Sequence, residues 1–198
     1  MTSSITLIAG LGNPGSGYEQ TRHNVGFWFV DALAKRFAAE FRDEKRFHGE
    51  VARIELNGSR VYLFKPSIYM NRSGQAVAAL SQFYRIPVSE ILVAHDDLDI
   101  DVGAIRIKNG GGHGGHNGLR DIIAACGNDA GFLRLRIGIG HPGDRQQVVD
   151  YVLHKPSAEE RSHIDAAIDD AVEVMPLLQA GDLQQAQQQL HSRAGVAG

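Results

Sequence analysis

The stretch Ile5-Thr6-Leu7-Ile8-Ala9-Gly10-Leu11-Gly12-Asn13-Pro14-Gly15 decides the fold class. Its first half, Ile5 to Ala9, is an apolar run that reads as a strand, and it ends abruptly in glycines, an asparagine and a proline. Ligands of α/β proteins sit beyond the carboxyl ends of strands, so a sheet that stops in such a loop is where chemistry is expected. Tyr18 and the run Thr21-Arg22-His23-Asn24 follow closely, placing a histidine between an arginine and an asparagine near that strand end.

Outward from this stretch, helical spacing of Val25, Phe27, Trp28, Val30, Leu33 and Phe37 predicts a helix from Asn24 to Phe41. Two strands, Gly49 to Leu56 and Arg60 to Lys65, flank Asn57-Gly58, a strong hairpin-turn signal. A helix is expected from about Gly74 to Tyr84. Ile91-Leu92-Val93-Ala94 is a continuous apolar run of the kind found in a sheet covered on both faces. It ends in His95-Asp96-Asp97-Leu98-Asp99. A strand over Ala104 to Lys108, a glycine-rich loop from Gly110 to Gly118, a short helix over Leu119 to Ala125 and a last strand over Phe132 to Ile139 complete the alternation. Ser157-Ala158-Glu159-Glu160 is a capping box that opens a helical tail running to about Leu178. Gly181 breaks that tail and Asp182 caps a final glutamine-rich helix. The expected architecture is α/β: a single domain, 1–198, with a mixed, mostly parallel twisted sheet, helices on both faces and a helical C-terminal tail.

Composition narrows the class without naming a function. At 198 residues, 43% hydrophobic and 22% charged, the chain can bury a core without disulfides. One cysteine, Cys126, fits a reducing compartment, and no apolar run is long enough to span a bilayer, so a cytoplasmic protein is expected. With a net charge of −3, any nucleic-acid partner needs a local basic patch.

Gly10, Gly12 and Gly15 match G-x-G-x-x-G, but Pro14-Gly15-Ser16-Gly17 prolongs the loop where a dinucleotide fingerprint opens a helix. The acidic residue expected at a second strand end about 20 residues on falls in a helical segment instead. His23 is the better lead. Asp96, at the carboxyl end of the 91–94 strand, can meet it across two strand ends as base and orienting carboxylate. Asp97 and Asp99 read as a solvated acidic turn. No G-x-S-x-G elbow exists and Cys126 reads as an inert thiol, so a base would most simply activate water. Asn13, Asn71 and Asn117 at the ends of different elements can pair with peptide groups. His113 and His116 raise a metal reading, weakened by the absence of H-E-x-x-H spacing. Arg106 with Lys108, and Arg134 with Arg136, each share a strand face; with Arg120 they either gather into a phosphate-binding patch or are solvated edge cations. Tyr18 and Tyr69 either stack on ribose or base, or simply pack.

Taken together these segments resemble one family, the bacterial-type peptidyl-tRNA hydrolases. The resemblance rests on Gly10 to Gly15, Tyr18 with Thr21 to Gly26, Tyr69 to Gly74, His95 to Asp99, Gly110 to Arg120 and Arg134 to Gly143. It implies hydrolysis of the ester joining a peptide to the 3′ ribose of tRNA, recycling the tRNA. On that resemblance His23 is the general base on water and Asp96 its partner, and Asn13 senses the blocked amino end of the substrate. Asn71 and Asn117 hold the substrate and the attacking water, Met70 and His116 line the peptide-side groove, and Lys108 and Arg136 clamp a tRNA phosphate. Tyr18 and Tyr69 count among the substrate-binding residues. No cofactor or metal is expected, and the resemblance implies a monomer whose partner is peptidyl-tRNA. A non-catalytic RNA-binding protein and a metal-dependent hydrolase are the alternatives.

Overall fold

The computed structural model describes residues 3–194; the ends of the expected domain, 1–2 and 195–198, lie outside the described residues. Strand β1 (Leu7–Gly10) is buried along its whole length. After a 3-10 turn at Arg22–Asn24 comes α1 (Val25–Arg36), followed by β2 (Arg42–Glu44), β3 (Gly49–Leu56), β4 (Ser59–Pro66), α2 (Ser73–Phe83) and β5 (Ile91–Asp97). Then follow β6 (Ile105–Asn109), α3 (Asn117–Ala125), β7 (Leu133–Gly138), α4 (Val148–Val152), α5 (Ala158–Gln179) and α6 (Leu183–Ala194).

The seven strands form one sheet in the order β2-β3-β4-β1-β5-β7-β6. β1 pairs in parallel with β4 and β5, and β5 with β7, so the centre is parallel. The outer pairings, β2–β3, β3–β4 and β6–β7, are antiparallel. The mixed, mostly parallel sheet expected from the sequence is therefore present. Successive strand residues point to opposite faces: Ile8, Leu63, Leu92 and Leu135 pack with α1, α5 and α6, whereas Leu7, Ala9, Phe64 and Val93 pack beneath α2 and α3.

The local signals act as their chemistry dictates. Asn57 and Gly58 both take positive φ, 50° and 74°, the turn that matches strand twist. Ser157 and Glu160 form the reciprocal capping box, at 3.0 and 3.1 Å, and Asp182 caps α6 through Gln185. Three elements differ from expectation. α1 ends at Arg36 rather than Phe41, because Ala38 turns left-handed at φ 51° and redirects the chain. That turn feeds β2, a three-residue edge strand of charged residues whose lack of alternation hid it. α4, five residues long, carries too little periodicity to be read. Among the described residues, no helix is long and apolar enough to cross a membrane.

Candidate active site

β5 delivers Asp96 to the carboxyl edge of the sheet and buries it, leaving 4% exposed. Its carboxylate lies 2.9 and 3.0 Å from His23 Nδ1 and 2.7 Å from His116 Nε2. A carboxylate only accepts, so both ring nitrogens facing it carry protons. For His23 this leaves Nε2 with its lone pair free, the tautomer a general base needs. For His116 the remaining nitrogen, Nδ1, accepts from the Gly118 and Leu119 N–H groups at 3.1 and 3.3 Å and so caps α3. One imidazole thus ties the helix start to the carboxylate that orients the other.

Burial alone would push the Asp96 carboxyl up, but the two imidazoles outweigh it and hold the group far below the ordinary carboxylate range. Burial likewise opposes charge on His23, yet the Asp96 carboxylate prevails and raises the imidazole above its ordinary 6.5. The neighbouring His95 goes the other way, to about 4, through burial and the proximity of His116. Its Nδ1 donates to the Asp96 carbonyl at 2.8 Å, and its buried Nε2 has no hydrogen-bond partner. His95 therefore stays neutral behind the site, its ring set edge-on against His116 at 5.2 Å.

The glycines of the opening loop let α1 close on the strand ends. A Cβ on Gly10 would lie 2.3 Å from the Gly26 carbonyl oxygen, and one on Gly26 would lie 2.4 Å from the Ala94 carbonyl oxygen. The spacing that imitates a nucleotide fingerprint is thus a close-approach device of strand on helix. It leaves Asn13 clamped. Asn24, a residue the sequence reading assigned no role, accepts from the Asn13 N–H and donates to the Asn13 carbonyl, both at 2.9 Å. The Asn13 Oδ1 accepts from the Met70 N–H at 2.8 Å. Only Nδ2 is left, so Asn13 presents a donor.

Other expected residues fall into two groups. Tyr69 is exposed and meets half-buried Tyr18 edge-to-face at 6.3 Å. Asn71, in a 3-10 turn, and Asn117, at the start of α3, are exposed, and the Asn117 carboxamide oxygen accepts from Arg120 at 3.1 Å. The Met70 side chain is buried in the core under α2 and α3, and its backbone N–H fixes Asn13. Both nitrogens of His116 are committed to Asp96 and the α3 cap. His113 does not converge with it, as its Nδ1 accepts from the Gly115 N–H. The groups able to hold a metal are instead His23, Asp96 and His116, with ligand atoms within 4.8 Å of one another. An ion there would have to displace the two protons these groups share.

The cations meet across β6 and β7, where Lys108 pairs opposite Arg134 and Arg106 opposite Arg136. They are not equivalent. Arg134 is buried and donates to the carbonyls of Gly111, Gly112 and Ala130, stapling the glycine loop. Arg136 Nε bonds Asp97 at 2.8 Å, so Asp97 is an ion-pair partner and not the solvated turn expected for it. Lys108 is exposed, its side chain resting against Gly111. Arg22, also missed, packs over Tyr151 at 3.9 Å and donates to the Tyr151 and His154 carbonyls, anchoring the α4 segment beside His23.

An imidazole backed by a buried carboxylate, at parallel strand ends among loop amides, is an arrangement that a hydrolase using a general base would need. Among the described residues no serine or cysteine bonds to His23. The family model of peptidyl-tRNA hydrolase matches residues 7–196, and the chain belongs to that family. It is 56% identical over 193 residues to the peptidyl-tRNA hydrolase of Neisseria meningitidis serogroup A, covering 98% of this chain and 100% of the relative. It is 54% identical over 186 residues to that of Halorhodospira halophila, covering 94% and 95%. The crystal structure of peptidyl-tRNA hydrolase from Acinetobacter baumannii superposes with a TM-score of 0.92 at 50% identity, covering 96% of each chain.

Proposed function

We propose that the chain hydrolyses the ester between a peptide and the 3′ ribose of tRNA, with His23 as general base. The observation that carries this reading is the His23 Nδ1 contact with the buried Asp96 carboxylate, at 2.9 Å. His23 Nε2 takes a proton from water as the oxygen attacks the ester carbonyl, and Asp96 stabilises the imidazolium that forms. The imidazolium then returns the proton to the departing ribose oxygen. Asn71 and Asn117 hold the water and the substrate, and Asn13 Nδ2 donates to a peptide carbonyl. A free aminoacyl group, with no such carbonyl on its amino end, loses that bond. Lys108 and Arg136 take a tRNA phosphate. The chemistry needs no cofactor.

The same reading makes the chain a cytoplasmic monomer. Its single cysteine, Cys126, is a half-buried thiol pushed up by burial and therefore unreactive. The decisive experiment compares release from N-acetyl-aminoacyl-tRNA and from aminoacyl-tRNA, in the wild type and in His23→Ala. The blocked substrate is expected to be strongly preferred, and the variant to lose about 10²–10⁴-fold in kcat with tRNA affinity unchanged. Equal loss of rate and affinity would make the chain an RNA-binding protein and not an enzyme of this mechanism.

A further inference from the structure

A groove of about 560 Å3 opens beside Asn13, and its walls are sharply biased in charge. Asn13, Pro14 and Gly15 form its inner end; Phe27, Trp28 and Asp31 of α1 line one stretch. The ends of β3 and β4 add Glu50 and Lys65, the turn after the opening loop adds Glu19, and α5 adds Arg161, Asp165 and Asp169. Five carboxylates thus face two cations, and both cations are committed. Lys65 Nζ lies 2.7 Å from Asp31 and 3.8 Å from Glu50. Arg161 bonds Asp165 at 2.9 Å and stacks over Trp28 at 3.6 Å. Glu19 and Asp169 make no ion pair among the described residues, and both are exposed.

A second feature points to a ligand. Asn13 is only 7% exposed, lines this groove, and has one polar group without a partner, its Nδ2. A donor whose residue is fixed by three other bonds is a place for an acceptor to dock. The cationic β6–β7 face lies elsewhere on the sheet edge, so the two charged regions suit the two halves of one bipolar substrate. Phosphates are repelled by this groove; a peptide is not.

We propose that the groove is a subsite for the peptide residues that precede the ester-linked one, and that it favours basic residues there. The inference rests on the hydrolytic reading above. Phe27 offers apolar surface for the aliphatic stem of a lysine or arginine, while Glu19 and Asp169 receive the charged head. Exposed pairs of this kind are individually weak, so the preference is a bias and not a filter.

Trp28 is the chain's one tryptophan, so its emission reports occupancy directly. Two N-acetylated tetrapeptide amides, one with lysines and one with glutamates at the same positions, are titrated into the full chain. The lysine peptide is expected to shift Trp28 emission at about two- to fivefold lower concentration. That ratio should collapse in the Glu19→Gln, Asp169→Asn double variant and at high salt. The KM values of peptidyl-tRNAs carrying the same peptides should follow the same order. Equal response to both peptides, no response to either, or a preference that survives the double variant would overturn the subsite. Failure to cleave any of these peptidyl-tRNAs would sink the hydrolytic reading instead, whereas cleavage with KM blind to peptide charge would sink the subsite alone.

Discussion

On the proposed function, the surroundings of Asp96 and the cationic face of β6 and β7 would solve different problems with different means. Around Asp96 the side chains are held by directed bonds: His23 through Nδ1, His116 through both nitrogens, and nearby Asn24 through both ends of its carboxamide. Across β6 and β7 the four cations stand in register; Arg134 is buried on loop carbonyls and Arg136 pairs with Asp97, while Lys108 is exposed. Moving a proton requires groups fixed before the substrate arrives, because a lone pair pointed elsewhere contributes nothing. Holding a phosphate requires only charge within reach, and long side chains can supply it from many conformations.

The largest break in this contrast is Asp96→Asn. A base acts when deprotonated, and the carboxylate raises His23 above 6.5, so the wild-type kcat/KM should climb with pH through a midpoint above that value. Without the carboxylate's charge only burial acts on His23, and burial lowers it. The midpoint should then drop below the ordinary 6.5, while the plateau falls about 10²–10⁴-fold. A pH–rate profile of both proteins tests this, and an unmoved midpoint would separate Asp96 from the ionisation that governs the rate.

Much of this geometry was legible before any coordinates, and the boundary of legibility has physical causes. Ile91 to Ala94 reads as a central strand because both its faces are buried, and that places Asp96 at a strand end beside the loop that carries His23. The hairpin and the capping box announce themselves through residues whose backbone preferences are local. The second bond to Asp96 was hidden, because His116 reaches it from a loop of glycines whose path no periodicity encodes. Asp97 was hidden for a related reason: its partner Arg136 is 39 residues away and meets it only through the β5–β7 pairing. The opening glycines misled in the opposite direction. Their spacing fits a phosphate loop, but what they accommodate is Gly26 and Phe27 of α1.

His116→Ala sharpens the comparison at a smaller scale. It removes a donor from a buried carboxylate and the cap from α3 in one change, so the fold should lose about 1–3 kcal/mol by chemical denaturation. The His23 midpoint should nonetheless stay above 6.5, because the Asp96 charge that raises it remains. That outcome distinguishes His116, which positions the carboxylate, from Asp96, which sets the base. A midpoint falling as far as in Asp96→Asn would merge the two roles.

The smallest effects belong to the cationic face, where the two clamp residues should differ. Lys108 makes no ion pair among the described residues, so Lys108→Ala should raise KM by about two- to tenfold and reduce the slope of log KM against log salt by about one. Arg136 is half neutralised by Asp97, 2.8 Å from its Nε. Removing it deletes a cation and also uncovers a carboxylate that repels the same phosphate. Arg136→Ala should therefore raise KM more than Lys108→Ala, and adding Asp97→Asn should recover part of the loss. If the two single variants match and the added asparagine changes nothing, Arg136 serves the sheet edge through Asp97 and Lys108 carries the phosphate contact alone.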